Sequence, residues 1–251
     1  MRTFGVLLRR ELGAIFLSPI AWTAMTFFLA VMGASFWMLL ELLARGAEGT
    51  EGGTVIGQLL GSIFFWLALL IVAPVITMRT LAEERRSGTF EMLMTAPVRD
   101  GAVVLAKYAA ALLFYAALWL PTLAYPIALR LLRPLGAPMD VGALAAGYLG
   151  VMLIGAAALA AGVFASAVTR SQVTAALGGF AIVCVFFLAG FLPYIPHGET
   201  MSRAAHYASG VTHLLDFARG VVDTRPIAFY VINTAWLLWA AVQMVGARRW
   251  K

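Results

Sequence analysis

Six stretches of the sequence are each long and apolar enough to cross a membrane as a helix. The apolar core of a bilayer is about 30 Å thick, and a helix needs roughly 20 apolar residues to span it. The stretches cover residues 19–43, 56–78, 102–129, 141–168, 172–192 and 227–246. The sequence therefore predicts an all-α fold, a polytopic membrane bundle of six transmembrane helices that forms one domain over residues 1–251.

Composition agrees with this class and limits the partners. Hydrophobic residues make up 62% of the chain and charged residues 12%, against about 45–50% and about 25% in soluble domains. The net charge of +6 comes from short basic segments between apolar stretches, which is typical of membrane topology and not of a nucleic-acid surface. The lipid bilayer is thus an expected partner, and nucleic acid is not.

The distribution of Lys and Arg predicts the orientation of the chain. Alternate loops and ends carry twelve basic residues on one side and six on the other, and the side richer in Lys and Arg is usually cytoplasmic. Both termini are therefore predicted to lie in the cytoplasm. Arg9, Arg10 and Glu11 interrupt any apolar core of a signal peptide. Apolar residues recur at helical spacing over residues 3–17, which predicts a helix lying in the headgroup region; the alternative is a cytoplasmic start of the first span.

The chemistry of an enzyme is missing from the spans. Their middles hold no Asp, Glu, Lys, Arg or His, and Glu41, Lys107 and Asp140 fall near span ends, where side chains can reach the interface. The three histidines, His197, His206 and His213, are spaced too widely for a helical metal pair, and no phosphate-binding loop motif occurs. We expect no catalytic, cofactor or metal site, and we expect any energy for transport to come from another subunit.

The loop after the second span has the pattern of a docking segment. Two acids and two bases, residues 83–86, precede a break at residues 87–89, and a short helix would then run from Phe90 until Pro97 ends it. Such a helix exposes Phe90, Met92, Leu93 and Met94, an adaptable apolar surface for a groove on a partner. The alternative is a charged topology determinant whose apolar patch rests on the bilayer.

Residues 83–98 resemble the signature of type 2 ATP-binding-cassette (ABC) transporter permeases. Residues 10–19, 217–225 and 248–250 support the resemblance, which is greatest to the gliding-motility-type and nitrous-oxide-reductase-maturation-type permeases. The resemblance implies a homodimer or a pair with a homologous permease, two cytoplasmic ABC ATPase subunits, and an auxiliary membrane-anchored subunit. It also implies a prokaryotic cytoplasmic (inner) membrane location.

The same resemblance assigns roles to residues. It makes residues 3–17 the interfacial helix, including Arg9, Arg10 and Glu11, and residues 83–96 the coupling helix that the ATPase pushes. The implied coupling residues are Glu83, Glu84, Arg85, Arg86, Gly88, Thr89, Phe90, Glu91, Met92, Leu93 and Met94.

Two segments leave alternatives open. Residues 193–226 form short helices that either roof an exit path or rest on the outer leaflet, with Val211, Leu214, Leu215, Ala218, Val221 and Val222 on one helical face. The fourth span is rich in Gly and Ala, which suits close helix packing within the subunit or at a dimer seam.

The leading hypothesis for function is the permease subunit of an exporter-type ABC transporter, which couples ATP hydrolysis in a separate subunit to movement of a substrate. The alternative is a mechanotransmission or scaffold subunit that relays ATPase motion to a partner and transports nothing. An intramembrane enzyme is disfavoured, since the spans lack a buried polar cluster.

Overall fold

The computed structural model describes residues 2–45, 55–86, 100–132, 140–194 and 205–247. Within these ranges the secondary structure is helical, and six helices are long and apolar enough to cross a membrane. The predicted fold class, a polytopic all-α bundle, is therefore confirmed. The helices are α1 (Arg2–Phe16), α2 (Pro19–Ala44), α3 (Val55–Leu60), α4 (Ile63–Thr77), α5 (Ala82–Arg86), α6 (Asp100–Trp119), α7 (Ala124–Leu132), α8 (Val141–Val168), α9 (Gln172–Ala189), α10 (Gly210–Ala218) and α11 (Thr224–Gly246).

Two predicted spans are interrupted where the sequence supplies a breaker. The second is divided at Gly61 and Ser62, where the Ser62 hydroxyl donates to the Leu59 carbonyl oxygen at 2.8 Å. The third is divided by a short 3-10 turn, Pro121–Leu123. Proline has no backbone N–H and cannot continue the α-helical hydrogen bonding. The predicted spans 56–78 and 102–129 therefore each consist of two helical pieces.

Helix α8 lies at the centre of the bundle, in contact with α4, α6, α9, α10 and α11. Its glycines bring these neighbours close. A Cβ atom on Gly155 would overlap the Tyr115 ring, and one on Gly162 would overlap the Thr77 hydroxyl. At these positions the small residues of the fourth span serve packing within the subunit, because only glycine lets the neighbouring side chain approach so near.

The helices alternate in direction, so the connections gather at two ends. At the first end, which we call the α5 end, Leu81 meets Ser166 near the end of α8, and Asp100 lies beside Gly246 at the end of α11. At the opposite end, the α10 end, Leu215 of α10 packs against Gly61. The alternation follows from short connections between successive spans.

Helix α10 is packed into the protein at its own end of the bundle. Leu214 and Phe217 are buried, and the Ser209 hydroxyl donates to the Gly190 carbonyl oxygen at 2.9 Å while accepting from the Thr212 N–H. The predicted apolar face was too long. Helix α10 ends at Ala218 and Gly220 has φ of +85°, a conformation that favours glycine, so Val221 and Val222 leave the helix and are exposed.

Candidate functional site

Lys107 lies in the second turn of α6 with its ammonium group turned into the protein. Its side chain is 3% exposed, and Nζ donates to Glu11 Oε2 at 3.0 Å and to Glu84 Oε1 at 2.8 Å. Glu11 belongs to α1 and Glu84 to α5. One buried cation thus joins three helices that are far apart in the sequence.

Arg10 completes this group, which we call the Lys107 cluster: Arg10, Glu11, Glu84 and Lys107. Its Nη2 atom lies 2.7 Å from Glu11 Oε1 and 3.5 Å from Glu84 Oε1. The hydrogen bond to Glu11 raises the pKa of Arg10 above its ordinary value. Two cations and two carboxylates share the cluster, so burial does not leave an excess charge among these four residues.

A second ion pair fixes the start of α5 to the junction of α1 and α2. Arg79 Nε lies 3.0 Å from Glu83 Oε2, and Arg79 Nη1 donates to the Ser18 hydroxyl at 3.1 Å. Ser18 immediately precedes Pro19, which begins α2. The connection between α4 and α5 is therefore held both to α1 and to the first turn of the first span.

Ser166 of α8 supports α5 from the centre of the bundle. Its buried hydroxyl accepts from the N–H groups of Leu81 and Ala82, both at 3.0 Å, and donates to the Met78 carbonyl oxygen at 3.3 Å. The first backbone N–H groups of a helix have no partner within it. A side chain from another span therefore satisfies two of them at the start of α5.

We call these contacts at the α5 end the junction. Removing one partner of a buried ion pair typically costs about 3–5 kcal/mol, because the other charge stays buried without compensation. Displacing α5 alone would break the Lys107–Glu84 contact and the Ser166 contacts together. Helix α5 is therefore tied directly to α6 and α8, and through Lys107 to Glu11 of α1.

Some of the predicted site residues are described by the structure and others are not. Glu83, Glu84, Arg10 and Glu11 lie in the contacts above, whereas Arg9 and Arg86 are exposed and Arg85 is half-buried. The others, Gly88, Thr89, Phe90, Glu91, Met92, Leu93 and Met94, lie outside the described residues. Their assignment to a docking helix stays a prediction, as does contact of any of these residues with an ATPase.

Three residues of the junction were not among the predicted site residues: Arg79, Lys107 and Ser166. The expectation that Lys107 reaches the interface was wrong, since its side chain is buried between two carboxylates. The signal for Lys107 was present: a lone cation follows five apolar residues, 102–106, within a span. Arg79 and Ser166 carried no signal of their own, because their partners are set by how the helices pack.

Asp140 has a local role. Its carboxylate accepts from the N–H groups of Gly142 and Ala143 and caps α8.

Histidine and metal chemistry are not part of this junction. His213 of α10 lies at the opposite end, with Nδ1 3.3 Å from the Tyr230 hydroxyl, and burial lowers the pKa of His213. Across the described ranges, His, Cys, Asp and Glu form no group of three that could hold a metal ion.

A bundle with six helices long and apolar enough to cross a membrane, joined at one end by a cluster of ion pairs, defines a multi-pass membrane protein. Comparison with protein families matches the ABC-2 family transporter protein over residues 8–219. The chain belongs to the ABC-2 transporter family. It is the membrane-spanning permease subunit of an ABC transporter, and its family implies an ABC ATPase subunit as partner. The comparison with curated proteins found no match.

Proposed function

We propose that the chain is the permease of an exporter-type ABC transporter in which residues 83–96 receive the force of the ATPase. The observation that carries this proposal is the Lys107 cluster, which ties the predicted coupling segment to both α1 and α6. Closure of the ATPase subunits would move α1, α5 and α6 together and change the tilt of the spans they join.

The proposed subfamily, partner subunits and membrane location follow from the sequence resemblance. We propose a gliding-motility-type or nitrous-oxide-reductase-maturation-type permease, paired as a homodimer or with a homologous permease over two ATPase subunits. Residues 3–17 would lie at the cytoplasmic surface of a prokaryotic inner membrane, both termini would be cytoplasmic, and an auxiliary membrane-anchored subunit would complete the assembly. Residues 1–251 would form one domain.

The proposal is tested by removing the charges of the junction without leaving one of them buried alone. In the triple variant Glu11→Gln/Glu84→Gln/Lys107→Met, the helices keep apolar or neutral hydrogen-bonding groups of similar size. We expect this variant to assemble with its partner ABC ATPase, and to lose most of the coupling between ATP hydrolysis and transport in proteoliposomes.

The matched control is Glu41→Gln/Arg45→Gln, an exposed pair four residues apart at the far end of α2. This variant should leave coupling unchanged, because exposed pairs contribute little. Full coupling in the triple variant would contradict the proposed role of the junction.

The second candidate is a mechanotransmission subunit, which would use the same junction to relay ATPase motion to a partner. A flux assay separates the two. ATP-driven movement of a substrate by the reconstituted complex indicates an exporter, whereas ATP-driven change in a partner without flux indicates mechanotransmission.

A further inference from the structure

A cavity of about 390 Å³ lies between α1, α2, α4 and α5, next to the Lys107 cluster. Binding sites for small ligands commonly enclose roughly 300–1,000 Å³. Helix α1 packs mainly on α6 and touches α2 much less, and the space between α1 and α2 is therefore open. The cavity walls differ in chemistry from one side to the other.

One wall is apolar and belongs to the ends of two membrane spans. Ala21 and Ala24 come from the first turns of α2, and Val75 and Ile76 come from the last turn of α4. Small side chains on α2 leave room beside it. Span ends lie where the apolar layer of a bilayer meets its headgroups, so this wall offers a surface for the first methylene groups of a lipid chain.

The other wall is charged and electrically balanced. Among the described residues lining the cavity, three are cations and three are carboxylates: Arg10, Arg79, Lys107, Glu11, Glu83 and Glu84. An anionic ligand would bring an uncompensated negative charge to carboxylates that already face these cations. A zwitterionic ligand brings one charge of each sign and preserves the balance.

The exposed charges of this wall suit a phosphate and a primary ammonium group. Arg79 and Glu83, 3.0 Å apart, are 37% and 45% exposed, and Arg10 is 54% exposed, whereas Lys107 is enclosed. Phosphate can form bidentate hydrogen bonds with Arg10 or Arg79. An ammonium group with N–H donors can take the place of the Arg79 guanidinium at Glu83. The phosphate of the ligand would thus pair with Arg79 and its ammonium with Glu83, in place of the ion pair between Arg79 and Glu83.

We propose that this cavity binds a zwitterionic phospholipid with a primary ammonium headgroup, of the phosphatidylethanolamine class, with the phosphate on Arg10 and Arg79, the ammonium on Glu83, and the chains against α2 and α4. The site does not depend on the proposed transport function, because it needs neither the ATPase nor a transported substrate.

Native mass spectrometry of the purified full chain tests the proposal with three lipids of identical acyl chains: phosphatidylethanolamine, phosphatidylcholine and phosphatidylglycerol. We expect phosphatidylethanolamine to bind most tightly. Phosphatidylcholine lacks ammonium N–H donors, and phosphatidylglycerol adds a net negative charge. Equal or tighter binding of either of the other two lipids would overturn the headgroup assignment.

Paired variants locate the site. Arg79→Gln removes a phosphate donor and should weaken phosphatidylethanolamine binding roughly tenfold, the effect of losing one hydrogen bond to a charged group. Ala24→Phe should also weaken binding, because its larger side chain occupies space in the cavity. Ala30→Phe, on an exposed face of the same helix, and Arg45→Gln should leave binding unchanged. Unchanged binding in Ala24→Phe would overturn the proposal.

Photo-crosslinking tests the site in the unmodified protein, so its result does not depend on whether a variant folds. A phosphatidylethanolamine carrying a diazirine near its headgroup should label peptides that contain residues 15–24 or 72–79. Labelling confined to other spans would show an unspecific shell of lipid and would also overturn the proposal.

Discussion

At the scale of single residues, the burial of Lys107 depends on the carboxylates that pair with its ammonium group. A buried ammonium group is costly unless it is paired and hydrogen-bonded. Glu11 and Glu84 supply both, and Arg10 balances the second carboxylate. The cation therefore stabilises the bundle only while both carboxylates remain in place.

We predict that Lys107→Met destabilises the protein by about 3–5 kcal/mol, because it leaves two carboxylates in a partly buried site with only Arg10, which is 54% exposed, to balance them. Thermal unfolding in detergent, followed by intrinsic tryptophan fluorescence, measures the change. The triple variant Glu11→Gln/Glu84→Gln/Lys107→Met should recover most of the loss.

Arg45→Met provides the control for this prediction. Arg45 pairs with Glu41 at an exposed position, and losing such a pair costs less than about 1 kcal/mol. Similar unfolding temperatures for Lys107→Met and Arg45→Met would show that the Lys107 cluster contributes no special stability.

Sequence patterns located the carboxylates of the site but not their partners. Glu83 and Glu84 stood out because acids and bases are adjacent there, and Arg10 and Glu11 stood out on an amphipathic helix. Lys107 was interpreted from its distance to a span end, and distance along a helix does not tell which way a side chain points. The partner of a charge becomes known only when the helices are placed.

At the scale of helices, hydropathy alone predicted the six spans well. It did not predict their internal breaks, because an apolar average is insensitive to one glycine, serine or proline. The helical backbone hydrogen bonding is interrupted at Gly61, Ser62 and Pro121, but these residues do not lower the mean hydropathy of their stretch. Helix α10 was predicted at the right place but too long, since Gly220 and not the apolar spacing determines where it stops.

The dependence of α5 on Ser166 gives a prediction at this scale. Ser166→Ala leaves the N–H groups of Leu81 and Ala82 without their acceptor, at a cost of about 1–3 kcal/mol. Amide hydrogen exchange in residues 81–86 should become faster, since five residues of helix have little stability of their own.

Ser171→Ala is the matched comparison, because Ser171 precedes α9 without capping it through its side chain. It should leave exchange in residues 81–86 unaltered. If Ser166→Ala gives the same exchange pattern as Ser171→Ala, then α5 does not depend on α8 in this way.

At the scale of the whole molecule, family membership and the six long apolar helices agree on a multi-pass permease whose family implies an ABC ATPase partner. The part of the chain that the structure describes gathers its buried charges at the α5 end and its packed surface helix α10 at the other. The proposed orientation makes the α5 end cytoplasmic.

Cysteine labelling tests that orientation. In a Cys184→Ala background, Arg86→Cys should react with a membrane-impermeant maleimide in inside-out vesicles only, and Val222→Cys in right-side-out vesicles only. Both positions are exposed, and three predicted spans separate them. Labelling of both from one side would contradict the six-span topology, and the reverse pattern would contradict the cytoplasmic placement of the α5 end.

The Lys107 cluster also has a consequence for how the chain is made. A ribosome synthesises Glu11 first and Glu84 next, and it reaches Lys107 only after both. When the third span leaves the ribosome, both carboxylates that neutralise its one cation already exist on the nascent chain. Lys107, whose ammonium group is costly to bury, is therefore the last of the three to be synthesised. Both of its carboxylate partners are already part of the chain when it enters the membrane.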